Sequence, residues 1–102
     1  MKNSIYISGP VTGYDIHERV SAFEVAAKKA AKESGQPYIN PLGIGYGENE
    51  SYTHEDYMRE DIEQLVKYCD SIYLMKGWEK SEGCKIEYEV AKACGMKMFK
   101  EE

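Results

Sequence analysis

A carboxylate near the start of a predicted helix is the first candidate for chemistry. Glu87 follows Gly83-Cys84-Lys85-Ile86, which places it within about the first turn of that helix. A helix N-terminus stabilises negative charge, so the spacing predicts an ionised side chain that could act as a nucleophile. The alternative is an ordinary first-turn glutamate that only stabilises its helix. Glu89 lies on a different face, and we expect it to be solvated.

A second carboxylate, Asp61, lies at the edge of an apolar stripe. It is adjacent to Ile62 and lies three and four residues from Met58 and Leu65. A carboxylate in such a place is costly unless it is paired or used. The alternative is that the helix is rotated and leaves Asp61 in solvent.

The segment from Ser8 to Asp15 carries two glycines, Gly9 and Gly13, and two hydroxyls, those of Ser8 and Thr12. Between a strand and a helix, such a loop can surround an anion with backbone N–H groups. It lacks both the Gly-Lys-Ser/Thr of a phosphate-binding loop and the G-x-G-x-x-G of dinucleotide-binding proteins. The alternative is a turn that needs glycine for its geometry.

Two further candidates lie in the loop that precedes the last predicted helix. Ser81 could contact a substrate phosphate or hydroxyl, or it could cap the helix. Trp78, the single tryptophan, could cover a base or a sugar, or its ring could pack on the second helix.

The elements that must position these residues follow from apolar spacing. A first strand is predicted over Ser4–Ser8, and a first helix over Asp15–Ser34. Asp15 should cap this helix with Glu18 as the reciprocal partner, and Gly35 should end it. Pro37–Pro41 can hold only a short strand, and residues 42–51 are predicted to form a loop.

The second half of the chain repeats this alternation. A second helix is predicted over Thr53–Tyr68, with Thr53-x-x-Asp56 as its capping signature. A third strand over Asp70–Met75 is followed by a loop and then by a helix from Gly83 to Cys94. The last strand is Met96–Phe99. The predicted apolar face of the third helix consists of Ile86, Val90, Ala93 and Cys94.

The order β-α-β-α-β-α-β predicts an α/β fold, a single flavodoxin-like three-layer domain spanning residues 1–102. We expect four parallel strands in the order 2-1-3-4, since crossovers between parallel strands are right-handed. Ligands of such sheets bind at the carboxyl ends of the strands. Glu87, Asp61 and the loop Ser8–Gly13 should therefore converge on one cleft.

Charge and cysteine content exclude several classes of function. The net charge is −5, from 13 basic and 18 acidic residues, which argues against nucleic acid or an anionic membrane as partner. The three cysteines show no zinc or disulfide spacing, so we expect no metal and no cofactor. No apolar run approaches about 20 residues, and a cytoplasmic location is expected.

Taken together, the motifs resemble those of the nucleoside 2-deoxyribosyltransferase superfamily. The match is closest to a branch of short bacterial and phage proteins and extends over nearly the whole chain. It is carried by Tyr6-Ile7-Ser8-Gly9-Pro10-Val11-Thr12-Gly13, Asn40-Pro41, Asp61, Cys69-Asp70, Gly77-Trp78-Glu79-Lys80-Ser81 and Ser81-x-Gly83-x-x-x-Glu87.

The resemblance implies a function and a role for each residue. Glu87 matches the nucleophile that attacks C1′ of a deoxyriboside, and Asp61 the acid that positions or protonates the departing base. Ser81 matches a phosphate-site serine of the related 2′-deoxynucleoside 5′-phosphate N-hydrolases. The other matched positions are expected to bind substrate: Tyr6, Ser8, Gly9, Gly13, Asn40, Trp78 and Gly83.

Three functions stay open at this point. The first is cleavage or transfer of the N-glycosidic bond of a 2′-deoxynucleoside or its 5′-monophosphate, with the hydroxyls favouring the monophosphate. The second is a module that binds a nucleotide without turning it over. The third is a structural subunit with a vestigial pocket.

The tyrosines also predict self-association. Tyr57, Tyr68 and Tyr88 lie beside the apolar residues of the second and third helices, and tyrosine is enriched at interfaces. A chain of 102 residues has little surface with which to enclose a nucleotide. We therefore predict a homo-oligomer, in its simplest form a two-fold dimer through these helices. The alternative is that the rings only close the edge of the monomer's core.

Overall fold

The computed structural model describes residues 3–42 and 51–102. Of the loop predicted at 42–51, residues 43–50 lie outside this description. The chain forms alternating strands and helices: β1 (Ser4–Ser8), α1 (Ile16–Ser34), β2 (Tyr38–Ile39), α2 (His54–Tyr68), β3 (Cys69–Leu74), α3 (Glu82–Ala93) and β4 (Lys97–Lys100). A short 3₁₀ turn at Trp78–Lys80, which the sequence did not indicate, precedes α3.

The strands form one parallel sheet in the order β2-β1-β3-β4, which confirms the predicted α/β architecture. In β1, Tyr6 pairs with Ile72 of β3, and Ser8 pairs with Leu74. β2 has two residues, since prolines on either side remove the N–H groups that a longer strand would need. The two central strands, β1 and β3, therefore carry most of the buried backbone.

Side-chain caps fix where the helices begin. Asp15 Oδ1 accepts hydrogen bonds from the backbone N–H groups of His17 and Glu18, at 2.9 and 3.1 Å. The reciprocal bond predicted from Glu18 is not the one that forms, because its carboxylate pairs with Arg19 at 2.8 Å. In α2 the predicted capping box is complete, with Thr53 and Asp56 bonding each other's backbone N–H.

The third helix differs from its prediction in start and in orientation. It begins at Glu82 behind the cap Ser81, so Glu87 lies in its second turn. Its buried residues are Cys84, Glu87 and Ala91. Ile86, predicted to be apolar core, is 45% exposed, and Ala93 and Cys94 are exposed too. Of the predicted face, Val90 is half-buried against the core. The helix is rotated away from the other three residues because Glu87 finds hydrogen-bond donors on β1.

The sheet separates two cores. The core on the α1 side contains Ile5, Ile7, Phe23, Ala26, Ala27, Ala30, Leu42, Tyr73 and Met75. The side covered by α2 and α3 contains Tyr6, Leu65, Cys69, Ile72, Leu74 and Ala91. Successive residues of a strand point to opposite faces, so Ile5 and Ile7 face α1 while Tyr6 and Ser8 face α2 and α3. In the described part of the chain no helix is long and apolar enough to cross a membrane.

Candidate active site

A cavity of about 550 Å³ lies at the carboxyl ends of the strands. Its wall includes Gly9–Thr12 after β1, Pro41 after β2 and Gly77 after β3, together with N-terminal residues of α2 and α3. This is the edge at which open parallel sheets bind ligands, because loops diverge there on either side of the sheet. The predicted convergence of Glu87, Asp61 and the first loop is confirmed, since all three line this cavity.

Glu87 lies at the base of this cavity and is only 6% exposed. The Tyr6 hydroxyl donates to Glu87 Oε2 at 2.8 Å, and the Ser8 hydroxyl donates to Oε1 at 2.7 Å. Both donors come from the same face of β1, two residues apart. They give each carboxylate oxygen one strong hydrogen bond, and each oxygen keeps a second lone pair.

Opposing effects act on the protonation of Glu87. Burial raises its pKa, and the hydrogen bonds from Ser8 and Tyr6 lower it in part. The sequence analysis attributed an ionised Glu87 to the helix N-terminus. That cause is wrong, because Glu87 is in the second turn and the hydroxyls of β1 favour its ionised form instead. Burial and the nearby Glu87 carboxylate in turn hold the pKa of Tyr6 well above its usual range.

Asp61 reaches the same cavity from α2 and is half-buried. Burial raises its pKa to about 7, with further contributions from the negative charges of Glu87 and Glu60. Burial raises the pKa of both carboxyls that line the cavity, and the hydroxyls that bond to Glu87 oppose this rise at Glu87. A pKa of about 7 lets Asp61 give or take a proton near neutral pH, beside a second carboxyl that hydroxyls help to ionise. Such pairs serve in acid–base and nucleophilic catalysis.

Two glycines of the cavity wall lie close to methionine side chains. A Cβ at Gly9 would lie 2.5 Å from Met75 Sδ and 3.1 Å from Phe23 Cζ. A Cβ at Gly83 would lie 3.2 Å from Met58 Sδ. The contact at Gly83 is between α3 and the flexible end of a side chain of α2. Both glycines line the cavity as predicted residues of the site, and each also has a packing role.

Ser81 fulfils both roles that the sequence left open. Its hydroxyl caps α3 by accepting a hydrogen bond from the Cys84 N–H at 3.3 Å. It also lines the cavity, next to Lys80. A capping hydroxyl that accepts from the backbone still has its own proton to donate, so Ser81 can bond an oxygen of a ligand.

Comparison with known proteins places the chain in a family. A family model described as a domain of unknown function, DUF4406, matches residues 3–100. The chain belongs to the DUF4406 family. No curated protein and no solved structure matches it.

Four of the predicted substrate-binding residues lie outside the cavity lining of the DUF4406 domain. Ser8 is buried against Glu87. Gly13 is in an exposed turn with φ +87°. The Asn40 side chain donates to Glu24 and accepts from the Leu42 N–H. The Trp78 ring packs on Tyr88 with centroids 4.8 Å apart, so it belongs to the core beside α3.

The sequence analysis also missed cavity residues of the DUF4406 domain. His54, Tyr57 and Met58 line the cavity together with Asp61. Tyr57, Met58 and Asp61 follow His54 by three, four and seven residues, which places all four on one helix face. Once Asp61 was a candidate, the same spacing could have predicted the other three. Cys84 and Tyr14 line the cavity as well. Within the described ranges, no group of three or more His, Cys, Asp or Glu side chains could hold a metal ion.

Proposed function

We propose that this chain cleaves the N-glycosidic bond of a 2′-deoxynucleoside or its 5′-monophosphate. The proposal rests on the buried carboxylate of Glu87, which accepts hydrogen bonds from Tyr6 and Ser8. Glu87 and Asp61 line the same cavity. The motif resemblance to nucleoside 2-deoxyribosyltransferases supports the same reaction. Glycosidic cleavage commonly uses two carboxyl groups with separate roles.

The proposed reaction has two steps. In the first, a carboxylate oxygen of Glu87 forms a bond to C1′ while the bond from C1′ to the base nitrogen breaks. Asp61 gives its proton to the departing base. In the second step, water or a second base attacks C1′ and releases Glu87, and the proton lost by the attacking group returns to Asp61. Negative charge on Glu87 also stabilises the oxocarbenium-like transition state.

The cavity has the size and the wall that such a substrate requires. A volume of about 550 Å³ lies within the range typical of small-molecule sites. The rings of Tyr14 and Tyr57 line it, and aromatic faces suit a planar base. One ring comes from the loop after β1 and the other from α2.

Two sets of residues bear on whether the substrate carries a phosphate. Lys80 and Ser81 line the cavity and offer a positive charge and a hydroxyl, which favours the monophosphate. Glu82 is adjacent to them on the same wall, and its charge opposes a phosphate. The experiment therefore includes both nucleosides and monophosphates.

The test is base release measured by liquid chromatography. Purified protein is incubated with the four 2′-deoxynucleosides and their 5′-monophosphates, with and without a second free base as acceptor. Glu87→Gln should lower the rate about a thousandfold or more, because it removes the nucleophile. Glu89→Gln, on the same helix but exposed, is the matched control and should leave the rate unchanged. Absence of base release from every substrate contradicts the proposal.

One observation favours the second candidate, a nucleotide-binding module without turnover. Both oxygens of Glu87 already accept hydrogen bonds, which lowers their nucleophilicity. Burial raises the pKa of Glu87, which lowers the ionised fraction that could attack. In that case a nucleotide raises the melting temperature, no base is released over long incubation, and Glu87→Gln still binds. Detection of free base, lost in Glu87→Gln, rejects this alternative.

The proposed dimer has narrower support than the sequence indicated. Of the three tyrosines, Tyr88 packs on Trp78 and Tyr57 lines the cavity and contacts the Tyr52 ring. Tyr68, at the end of α2, is 50% exposed and is the one that supports an interface. Light scattering decides, since a monomer has a mass of 11.7 kDa and a dimer twice that.

A further inference from the structure

The last residue of β1 has a place that the sequence did not indicate. Ser8 is 1% exposed and lies behind the cavity wall, where the sequence led us to expect a contact with sugar or phosphate. It pairs with Leu74 in the sheet, and its side chain points to the face covered by α3. A substrate in the cavity therefore meets Glu87 and not Ser8.

Ser8 and Tyr6 together hold both oxygens of one carboxylate. Ser8 Oγ donates to Glu87 Oε1 at 2.7 Å, and Tyr6 Oη donates to Oε2 at 2.8 Å. Since both donors are fixed on one rigid strand, the carboxylate cannot rotate without breaking a hydrogen bond. The lone pairs that remain on its oxygens are the ones available to the cavity.

Ser8 also contacts the helix that carries Glu87. Burial raises the pKa of the Cys84 thiol, and the adjacent Ser8 hydroxyl lowers it in part. Cys84 precedes Glu87 by three residues and is 2% exposed. Contact at two points on α3 fixes the Ser8 hydroxyl with respect to Glu87.

We propose that Ser8 is a positioning residue, which orients the Glu87 carboxylate and favours its ionised form without touching the substrate. The effect of Ser8 on catalysis rests on the proposed function. The effect of Ser8 on the orientation and ionisation of Glu87 is independent of that function and can be measured without any substrate.

The sign of the effect follows from the groups around Glu87. The titratable groups that face it are Tyr6 from β1, Asp61 from α2 and Cys84 from its own helix. Removal of the Ser8 hydroxyl withdraws one hydrogen bond from the ionised carboxylate, so the pKa of Glu87 rises. A smaller fraction is then ionised at a given pH, and the acidic limb of the rate profile moves to higher pH.

The experiment compares three variants with the wild-type protein. Ser8→Ala removes the hydroxyl, and Ser8→Thr retains it with a residue that strands accept. Ser71→Ala is the matched control, because Ser71 is a buried serine of the neighbouring strand, 2% exposed, and its hydroxyl bonds to Asp70. Amide spectra confirm folding, the ¹³C shift of the Glu87 carboxyl gives its pKa, and base release gives kcat and KM against pH.

We expect Ser8→Ala to raise the pKa of Glu87 by about one unit and to lower kcat about tenfold, with KM nearly unchanged. Ser8→Thr should have a Glu87 pKa and a kcat close to those of the wild type, and Ser71→Ala should leave both quantities unchanged. An unchanged Glu87 pKa in folded Ser8→Ala overturns the proposal. A rise in KM with unchanged kcat also overturns it, since Ser8 would then bind substrate.

The outcome also separates this proposal from the proposed function. If the wild-type protein releases no base, glycosidic cleavage is rejected. The carboxyl titration alone then decides whether Ser8 holds Glu87, with a rise in Ser8→Ala supporting the proposal and no change rejecting it.

Discussion

The side chains of β1 have different roles on the two faces of the sheet. Ile5 and Ile7 of β1 point into the apolar core beneath α1, whereas Tyr6 and Ser8 point toward Glu87. On the first face the core consists of apolar and aromatic side chains, and its buried serine, Ser71, bonds to the adjacent exposed carboxylate of Asp70. On the second, a buried acid depends on hydroxyls from the strand. Alternation along one strand thus separates stability from chemistry.

The helices that cover the two faces explain where the cavity forms. A single helix, α1, covers the first face through small residues, Ala26, Ala27 and Ala30, and it packs closely. Two helices share the second face. Leu65 and Ala91, in their C-terminal halves, are buried in the core, while residues of their N-terminal turns line the cavity. The cavity is the space between two helix starts at the edge of the sheet.

Ile5→Ala should produce the largest effect on stability and test the first face alone. Ile5 is fully buried, and we expect a loss of about 3 kcal/mol in the free energy of unfolding because the truncation leaves a void. Ile5→Val should lose about 1 kcal/mol. Urea unfolding measures both. Activity per folded molecule should stay unchanged, and a fall in it would show that the two faces are coupled.

Asp61→Asn tests the second face and should stabilise the protein. With its pKa raised to about 7, folded Asp61 keeps a proton that the unfolded chain releases near pH 4, so stability is lost as the pH rises from about 4 through 7. Asn at this position has no proton to release, so the variant does not lose stability in this way. We expect its free energy of unfolding to exceed that of the wild type by about 1–3 kcal/mol at pH 8, allowing for solvent screening, and to equal it at pH 3.

Urea unfolding at both pH values, with Glu63→Gln as control, checks the effect of Asp61→Asn. Glu63 is an exposed carboxylate of the same helix and should change stability by no more than about 0.5 kcal/mol. If cleavage occurs, Asp61→Asn should also lose the fall in rate above about pH 7. Equal stability of wild type and Asp61→Asn at pH 8 would contradict the raised pKa.

Gly9→Ala tests a residue that lines the cavity and packs on the core beneath α1. The added Cβ would lie 2.5 Å from Met75 Sδ and 3.1 Å from Phe23 Cζ, so we expect a loss of about 1–2 kcal/mol by overpacking. A double-mutant cycle with Met75→Ala should show a coupling of about 1 kcal/mol, because the truncation relieves the clash. If the losses in the free energy of unfolding from the two substitutions are additive, the destabilisation by Gly9→Ala does not come from the contact with Met75.

Gly83→Ala should have the smallest effect. The new Cβ would lie 3.2 Å from Met58 Sδ, near the flexible end of that side chain. The gain in helix propensity offsets this contact, and we expect a net change within about 0.5 kcal/mol in urea unfolding. A loss above about 1 kcal/mol in the free energy of unfolding would mean that α2 and α3 cannot move apart far enough to accommodate the new Cβ.

Local rules predicted the elements well because each depends on neighbouring residues. Thr53 and Asp56 form their capping box, Asp15 caps α1, and Gly35 ends it with φ +70°. The strand order followed from the alternation of strands and helices with right-handed crossovers. The first loop, Asp61 and Glu87 were expected at one edge for the same reason, and they meet there.

The sequence by itself determined the sheet, its order and the edge that carries the cavity, because these follow from periodicity, caps and chain connectivity. Only the tertiary structure decided which face of α3 is buried, that Ser8 supports Glu87, and that Trp78 packs on Tyr88. The physical reason is distance along the chain. The hydroxyls that compensate burial of Glu87 come from residues 81 and 79 positions away, and no local pattern around a glutamate indicates donors that the fold alone brings to it.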